Sequence, residues 1–322
     1  MQEGNKSKND SCVSNAKVSV VIPVYNAEKW IVNCIDSVLN QTLPPSEIIV
    51  INDGSKDRST EIIRGKYSFV DSLKMVNQSN KGLAAARNRG IIESIEQFIA
   101  FLDADDIWLP DKLNRQMQLL ESASDEYGMC HTFFEEIDGD GKILTTWKDI
   151  KQRDGYFKYY TEVNSNVLAH KNCVTGSGSS ALIRKSCIDK IGFFDEDLRA
   201  SEDWNYWYRL CLHYRILTVP EVLVQIRCHQ YSMQKRRKFI LKEELVSIRK
   251  LENICLLEHH EILKKTEQRT AATLLLFSLT DVSLVLELFK GYGFLLIPAS
   301  LKKIVTWTKN RLLWFINRTL LR

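Results

Sequence analysis

Residues 98–106 read Phe-Ile-Ala-Phe-Leu-Asp-Ala-Asp-Asp, an apolar run that ends in Asp103, Asp105 and Asp106. An apolar run of this length, bounded by polar residues, has the pattern of a buried strand. A strand ending in several carboxylates gathers like charges that raise one another's pKa unless a cation neutralises them. A hard divalent ion held by one or two carboxylates and by substrate phosphates meets that need. The alternative is a solvated acidic turn ahead of the helix that starts near Pro110.

The chain N-terminal to this run repeats the same pattern. Val18–Ile22, Ile48–Ile51 and Leu73–Val76 are strand-like, and helical spacing appears over 28–39, after Ser59 and over 83–94. Strands alternating with helices imply right-handed β-α-β units and a mainly parallel central sheet flanked by helices, an α/β fold. In such a sheet every strand's carboxyl end lies on one edge. Pro23-Val-Tyr-Asn26, Asp53-Gly-Ser55, Lys81-Gly82 and Asp103–Asp106 each follow a strand and are expected to converge on one crevice, where open α/β sheets bind ligands.

Beyond residue 125 the pattern is irregular. Strands are expected over 132–137 and 143–147 around the turn Asp138-Gly-Asp-Gly141, and residues 167–183 are rich in Gly and Ser. Ser201 before Glu202 and Asp203 carries an N-cap signature for an amphipathic helix. From about Phe239 onward the sequence is mostly helical. Three parts are therefore expected: a disordered polar leader over 1–17, a catalytic domain over 18–232 and a C-terminal helical appendage over 233–322.

Bulk properties fit a soluble globular protein, with 44% hydrophobic and 26% charged residues in 322. The net charge of +4 conceals an asymmetry. Seven basic and no acidic residues follow Glu287, leaving 37 basic residues against 40 acidic ones up to that point. A basic tail on a mildly acidic body points to an anionic membrane surface as partner and away from nucleic acid. The eight cysteines are scattered singly, with no C-x-x-C pair or zinc spacing, as in a reducing cytoplasm. No secretory h-region and no eighteen-residue uncharged apolar stretch is present.

Residues 18–232 resemble the family 2 glycosyltransferases with the GT-A fold. The matching segments are Val-Ser-Val-Val-Ile-Pro-Val-Tyr-Asn (18–26), Ile-Asn-Asp-Gly-Ser-Lys-Asp (51–57), Lys-Gly-Leu-Ala-Ala-Ala-Arg-Asn-Arg-Gly (81–90), Phe-Leu-Asp-Ala-Asp-Asp (101–106) and Glu-Asp-Trp (202–204). The resemblance implies inverting, metal-dependent transfer of a sugar from a nucleotide-sugar donor, UDP-linked by expectation, to a hydroxyl of a glycan or lipid-linked acceptor. It implies that Pro23, Tyr25, Asn26 and Asp53 hold the nucleotide, with Lys81, Arg87 and Asn88 lying against it. Asn52 stands where the family usually has an aspartate. Asp103 is expected at the ribose or base side. Asp105, a donor ligand as well, joins Asp106 and His229 around Mn²⁺ or Mg²⁺. Asp203 is the expected catalytic base, and Trp204 and Glu202 face the acceptor.

For several of these residues a structural role competes with the functional one. Tyr25 also reads as a core aromatic, Asp53 as a turn former, Arg87 as a helix-surface charge, Asp203 as a cap, Trp204 as core and His229 as structural. Residues 301–322 place Leu301, Ile304, Val305, Leu312 and Phe315 at near-helical spacing among basic side chains, Trp307 and Trp314. That pattern fits a helix in an anionic interface, hence a peripheral site at the inner face of the cytoplasmic membrane, or a helix packed on protein. The Q-x-x-R-W motif and multiple spans of processive members are absent, so single-sugar addition is expected. Two rivals remain: a sugar-1-phosphate nucleotidyltransferase, which needs a Gly-rich basic loop where Pro23–Asn26 stands, and an inactive nucleotide-sugar-binding scaffold.

Overall fold

The computed structural model describes residues 16–146, 162–170, 174, 178–278 and 284. The expected basic tail over 301–322, nearly all of the polar leader and most of the stretch 145–180 lie outside them. The chain divides into two compact units, 1–168 with 172–232 and 169–171 with 233–322.

The first unit is built on one sheet of ten strands, with order β3-β2-β1-β4-β9-β6-β10-β5 and β7 and β8 attached to β6 and β10. Strands β1 (Ala16–Val24), β2 (Pro45–Asp53), β3 (Leu73–Gln78) and β4 (Phe98–Phe101) pair in parallel, as the β-α-β pattern requires. The Val and Ile side chains of β1 and β2 and all of β4 are buried, because helices cover both faces. Helix α1 (Ile31–Leu39) presents Ile31, Cys34, Ile35 and Val38 to the core. Helix α3 (Leu83–Glu93) approaches β1 so closely that a Cβ on Gly90 would collide with Val21. Pro23 tolerates its place in a central strand because it lies two residues past the last β1–β4 pair, Val21 with Phe101.

The second half of the sheet is mixed. Strand β9 (Leu182–Arg184) runs antiparallel to both β4 and β6 (Tyr127–Ile137), which restores the original direction. Strand β10 (Arg215–Arg227) then pairs parallel to β6, with a register shift around Pro220, which has no N–H to give the ladder. The carboxyl ends of β6 and β10 therefore share the edge used by β1–β4. Short strands β5 (Ile107–Trp108), β7 (Ile143–Thr145) and β8 (Glu162–Val163) complete the sheet antiparallel to their partners. Helix α4 (Lys112–Ser122) packs on the sheet, α5 spans Ser165–His170, α6 spans Ile188–Ile191, and α7 (Glu202–Cys211) opens toward the same edge.

In the second unit, α8 (Arg237–Glu252) and α9 (His260–Phe277) form an antiparallel pair around Leu241, Leu245, Ala271, Leu274 and Leu275. Arg249 pairs with Glu267 at 2.9 Å, and the Thr270 hydroxyl donates to Glu244 at 2.9 Å. No described helix is long and apolar enough to cross a membrane.

Candidate active site

Two loops at the sheet edge are stitched together before any ligand is considered. Asn26 has φ +53°, a left-handed conformation that asparagine tolerates. Its N–H donates to the Ser55 hydroxyl oxygen at 3.1 Å, and its amide oxygen accepts the Lys56 N–H at 2.8 Å. Ala27 N–H bonds Ser59 Oγ, Glu28 N–H bonds Asp57, and Arg58 N–H bonds Glu28. Asn26 thus fastens β1's end to β2's end, while Tyr25 beside it stands 50% exposed with its ring free to stack.

Asp53 is buried and organises the next loop. Its Oδ1 accepts Gln78 Nε2 and Lys81 N–H, and its Oδ2 accepts Gly82 N–H, each at 2.8 Å. Gly54 has φ +73°, and a Cβ there would lie 2.8 Å from the Asn80 nitrogen. Asn52 donates to Asn77 Oδ1 at 2.9 Å and accepts the Ser55 N–H at 3.0 Å. An ionised aspartate could only accept, so asparagine supplies a bond that the family's usual residue cannot.

The acids after β4 separate into distinct environments. Asp106 is 3% exposed, and both oxygens are occupied: Oδ2 by the Ser179 hydroxyl at 2.6 Å and Oδ1 by the Arg227 N–H at 2.9 Å. Burial, then the charges of Asp105 and Asp103, pushes its carboxyl well above the ordinary range. The metal-facing place expected for Asp106 does not match this interior position. Asp105 keeps a side chain 32% exposed, with Oδ2 3.0 Å from His229 Nε2. His229 Nδ1 accepts the Tyr231 N–H at 3.1 Å, which leaves the neutral ring's proton on Nε2, facing Asp105.

The Gly/Ser-rich segment is held from below by three consecutive carbonyls. Trp108 Nε1 donates to Ser179 O at 2.8 Å, Gln116 Nε2 to Ser180 O at 2.9 Å and Lys112 Nζ to Ala181 O at 3.3 Å. Lys112 is fully buried over the Trp108 ring, and burial lowers its ammonium well below the ordinary value. The clamp fixes Ser179, whose hydroxyl also accepts the Asp103 N–H at 3.1 Å.

Arg87 and Asn88 do not reach outward from α3. Arg87 is 1% exposed; Nη1 meets Glu202 at 2.7 Å and Nη2 meets Asp103 at 2.8 Å. Asn88 is buried, donating to Phe194 O at 3.0 Å and Glu196 at 2.9 Å and accepting the Phe194 N–H at 2.9 Å. The nucleotide contacts expected of both are replaced by internal ones; Lys81, by contrast, is exposed at the rim. Glu202 is buried against Arg87, so the acceptor-facing position expected of it is not found. Burial raises its carboxyl to about 7 despite Arg87.

Asp203 follows, half-buried, with its carboxyl pushed up by burial. Ser201 does not cap α7 by its side chain as its signature predicts; it is left-handed at φ +60°. Trp204 is 3% exposed with its indole N–H on Leu168 O at 2.9 Å, so it offers no open face for stacking on an acceptor.

Two further residues at the edge were not among the expected site residues. Trp30, within the stretch of helical spacing over 28–39, stacks on the His229 ring at 4.0 Å and donates to Gly139 O at 3.2 Å. Arg227 bonds the carbonyls of Asp105, Asp138 and Gly139. Its position two residues before His229, at the end of a strand, was the available signal.

A profile described as Glycosyl transferase family 2 matches residues 19–192, more than half of the chain. The chain belongs to this family. It is 31% identical over 212 residues to an uncharacterized glycosyltransferase of Rickettsia prowazekii, covering 66% of this chain and 64% of that one. The match thus spans less than two thirds of that relative. The Staphylococcus aureus protein TarS (residues 1–349), solved with UDP, superposes with a TM-score of 0.60 at 20% identity, over 79% of this chain and 71% of that one. A mannosyltransferase of Pyrobaculum calidifontis, solved with GDP-Man and Mn²⁺, gives a TM-score of 0.61 at 19% identity, over 92% and 84%. At such identities the two likenesses speak for the fold.

Proposed function

We propose that the chain is an inverting, metal-dependent glycosyltransferase that moves a sugar from a UDP-linked donor to a hydroxyl of a glycan or lipid-linked acceptor in cell-surface polysaccharide assembly. The observation that carries this reading is the juxtaposition at one sheet edge of an exposed Tyr25, the Asp53-organised loop, the Asp105–His229 pair and the half-buried Asp203. The solved fold neighbours with UDP and with GDP-Man and Mn²⁺ add support by analogy.

In this reading Tyr25 packs on the base, and the loop built on Asp53 lies along the nucleotide. Among the described residues no group of three or more His, Cys, Asp or Glu side chains forms a metal cage. One open carboxylate and one imidazole fit a hard ion that takes its remaining oxygens from a diphosphate. Asp105 and His229 would hold that ion. When bound, Mn²⁺ or Mg²⁺ neutralises charge on the departing nucleoside diphosphate. Asp203 takes the acceptor's proton; a carboxylate raised by burial is a stronger base than one in water. The hydroxyl then attacks from the face opposite the leaving group.

The test is a panel of nucleotide sugars incubated with Mn²⁺, scored for released nucleoside diphosphate. Release that is lost in Asp105→Asn supports the reading. Pyrophosphate release from a nucleoside triphosphate supports a nucleotidyltransferase instead, and donor binding without turnover an inactive scaffold.

A further inference from the structure

Arg87 is the most deeply buried guanidinium described, and its partners come from two separate elements. Asp103 lies just past β4 and Glu202 opens α7; both bonds are charge-assisted and short. The plane is enclosed by the rings of Phe101 and Phe194, 5.9 and 5.6 Å from Cζ. Gly178 presses against it: a Cβ there would stand 2.6 Å from Nη2 and 2.8 Å from Cζ. Burial alone would lower the guanidinium, but the Asp103 and Glu202 carboxylates more than offset that and hold it charged.

A buried ion pair adds little net stability, because desolvation offsets the Coulomb attraction; what such a pair supplies well is a fixed geometry. Helix α7 has need of one. Ser201 does not cap it through its side chain, and its left-handed backbone is a conformation that persists only when neighbours enforce it. The bond to Arg87 supplies that enforcement at the residue directly before Asp203.

We propose that Arg87 is a positioning residue: through Glu202 and Asp103 it locks the first turn of α7 to the end of β4, setting where Asp203 stands relative to the strand-end acids. Gly178 is the space that lets the guanidinium reach both. This rests on the reading of Asp203 as the base, but the tie itself is tested separately.

The variants are Glu202→Gln, which keeps shape and weakens the tie, Gly178→Ala, which keeps Arg87 and displaces it, and Arg87→Met. Hydrogen exchange of the full chain reads the tie without activity: the amides of residues 203–205 exchange faster in Glu202→Gln and Gly178→Ala. Unchanged exchange there overturns the tie. In the donor hydrolysis assay, Glu202→Gln and Gly178→Ala lower kcat by about tenfold or more. UDP binding with Mn²⁺ stays within about twofold, since neither residue touches the nucleotide loops. In an Arg87→Met background Glu202→Gln adds no further loss, because the partner is already gone. Losses that multiply independently, or a kcat loss matched by equal loss of UDP affinity, contradict a positioning role. Wild-type protein inert toward every nucleotide sugar refutes the transferase reading, while the exchange result still decides the tie. Should Arg87→Met fail to fold, Gly178→Ala and Glu202→Gln carry both readouts alone.

Discussion

The carboxylate of Asp106 accepts the backbone N–H of Arg227 at 2.9 Å, joining the end of β4 to the end of β10 across 121 residues of sequence. This bond and the Ser179 hydroxyl turn Asp106 inward and leave Asp105 at the rim. Two adjacent carboxylates therefore have different work.

Their substitution separates the roles. Asp106→Asn keeps one acceptor oxygen and brings an amide NH₂ against a donor, so it lowers unfolding stability by about 1–3 kcal/mol. Asp105→Asn leaves stability nearly unchanged and removes Mn²⁺ binding in the presence of UDP. Urea unfolding and Mn²⁺ titration by electron paramagnetic resonance check both; equal effects at the two positions contradict the assignment.

Gly54→Ala forces a methyl against the Asn80 nitrogen in a φ that alanine disfavours. The displaced 79–82 loop loses its alignment with Asp53. Expected outcomes are a stability loss of about 1–3 kcal/mol and at least tenfold weaker UDP binding by calorimetry, where a change to Ala at exposed Gly65, whose Cβ meets nothing, has no such effect.

Trp30 fixes the His229 ring by stacking and by its bond to Gly139 O. Trp30→Phe keeps a ring and drops the bond, and Trp30→Ala removes both. Support of a metal ligand from behind typically matters by about 10–100-fold in affinity. The apparent Mn²⁺ Kd with UDP is expected to rise in the order wild type, Phe, Ala; a Kd unmoved by Trp30→Ala contradicts the supporting role.

His131 is buried against the Thr218 hydroxyl at 3.0 Å, and burial lowers its pKa from 6.5 to about 4. The unfolded chain therefore binds the proton first as pH falls, so this residue's contribution to stability is complete above pH 6.5 and declines toward pH 4. The full difference is roughly 3 kcal/mol. Urea unfolding between pH 7 and pH 4.5 is expected to show a steeper loss for wild type than for His131→Gln, and parallel slopes contradict it.

The parallel half of the sheet was legible because its strands are short, largely apolar runs separated by helices of ordinary length. The mixed half was not: β9 is three residues long, and β10 is interrupted by Pro220. Within the site, spacing revealed which segments meet but not which way adjacent side chains turn. Asp105 and Asp106 differ by one position, and Ser179 and Arg227, both distant in sequence, decide which faces inward. Arg87 and Asn88 look like surface charge and amide on a helix until Glu202, Asp103 and the 194–196 loop are brought to them. Trp204 carries the pattern of an open aromatic beside the base, yet its ring falls on the core side of α7.

The most direct measurement compares wild type with Asp203→Asn, using the UDP-sugar that wild type turns over. The account predicts that nucleoside diphosphate release falls by about 10²–10⁴-fold while UDP affinity with Mn²⁺ stays within about twofold. Retained turnover in Asp203→Asn, or turnover and UDP affinity lost together, contradicts a base held apart from the nucleotide on the first turn of α7.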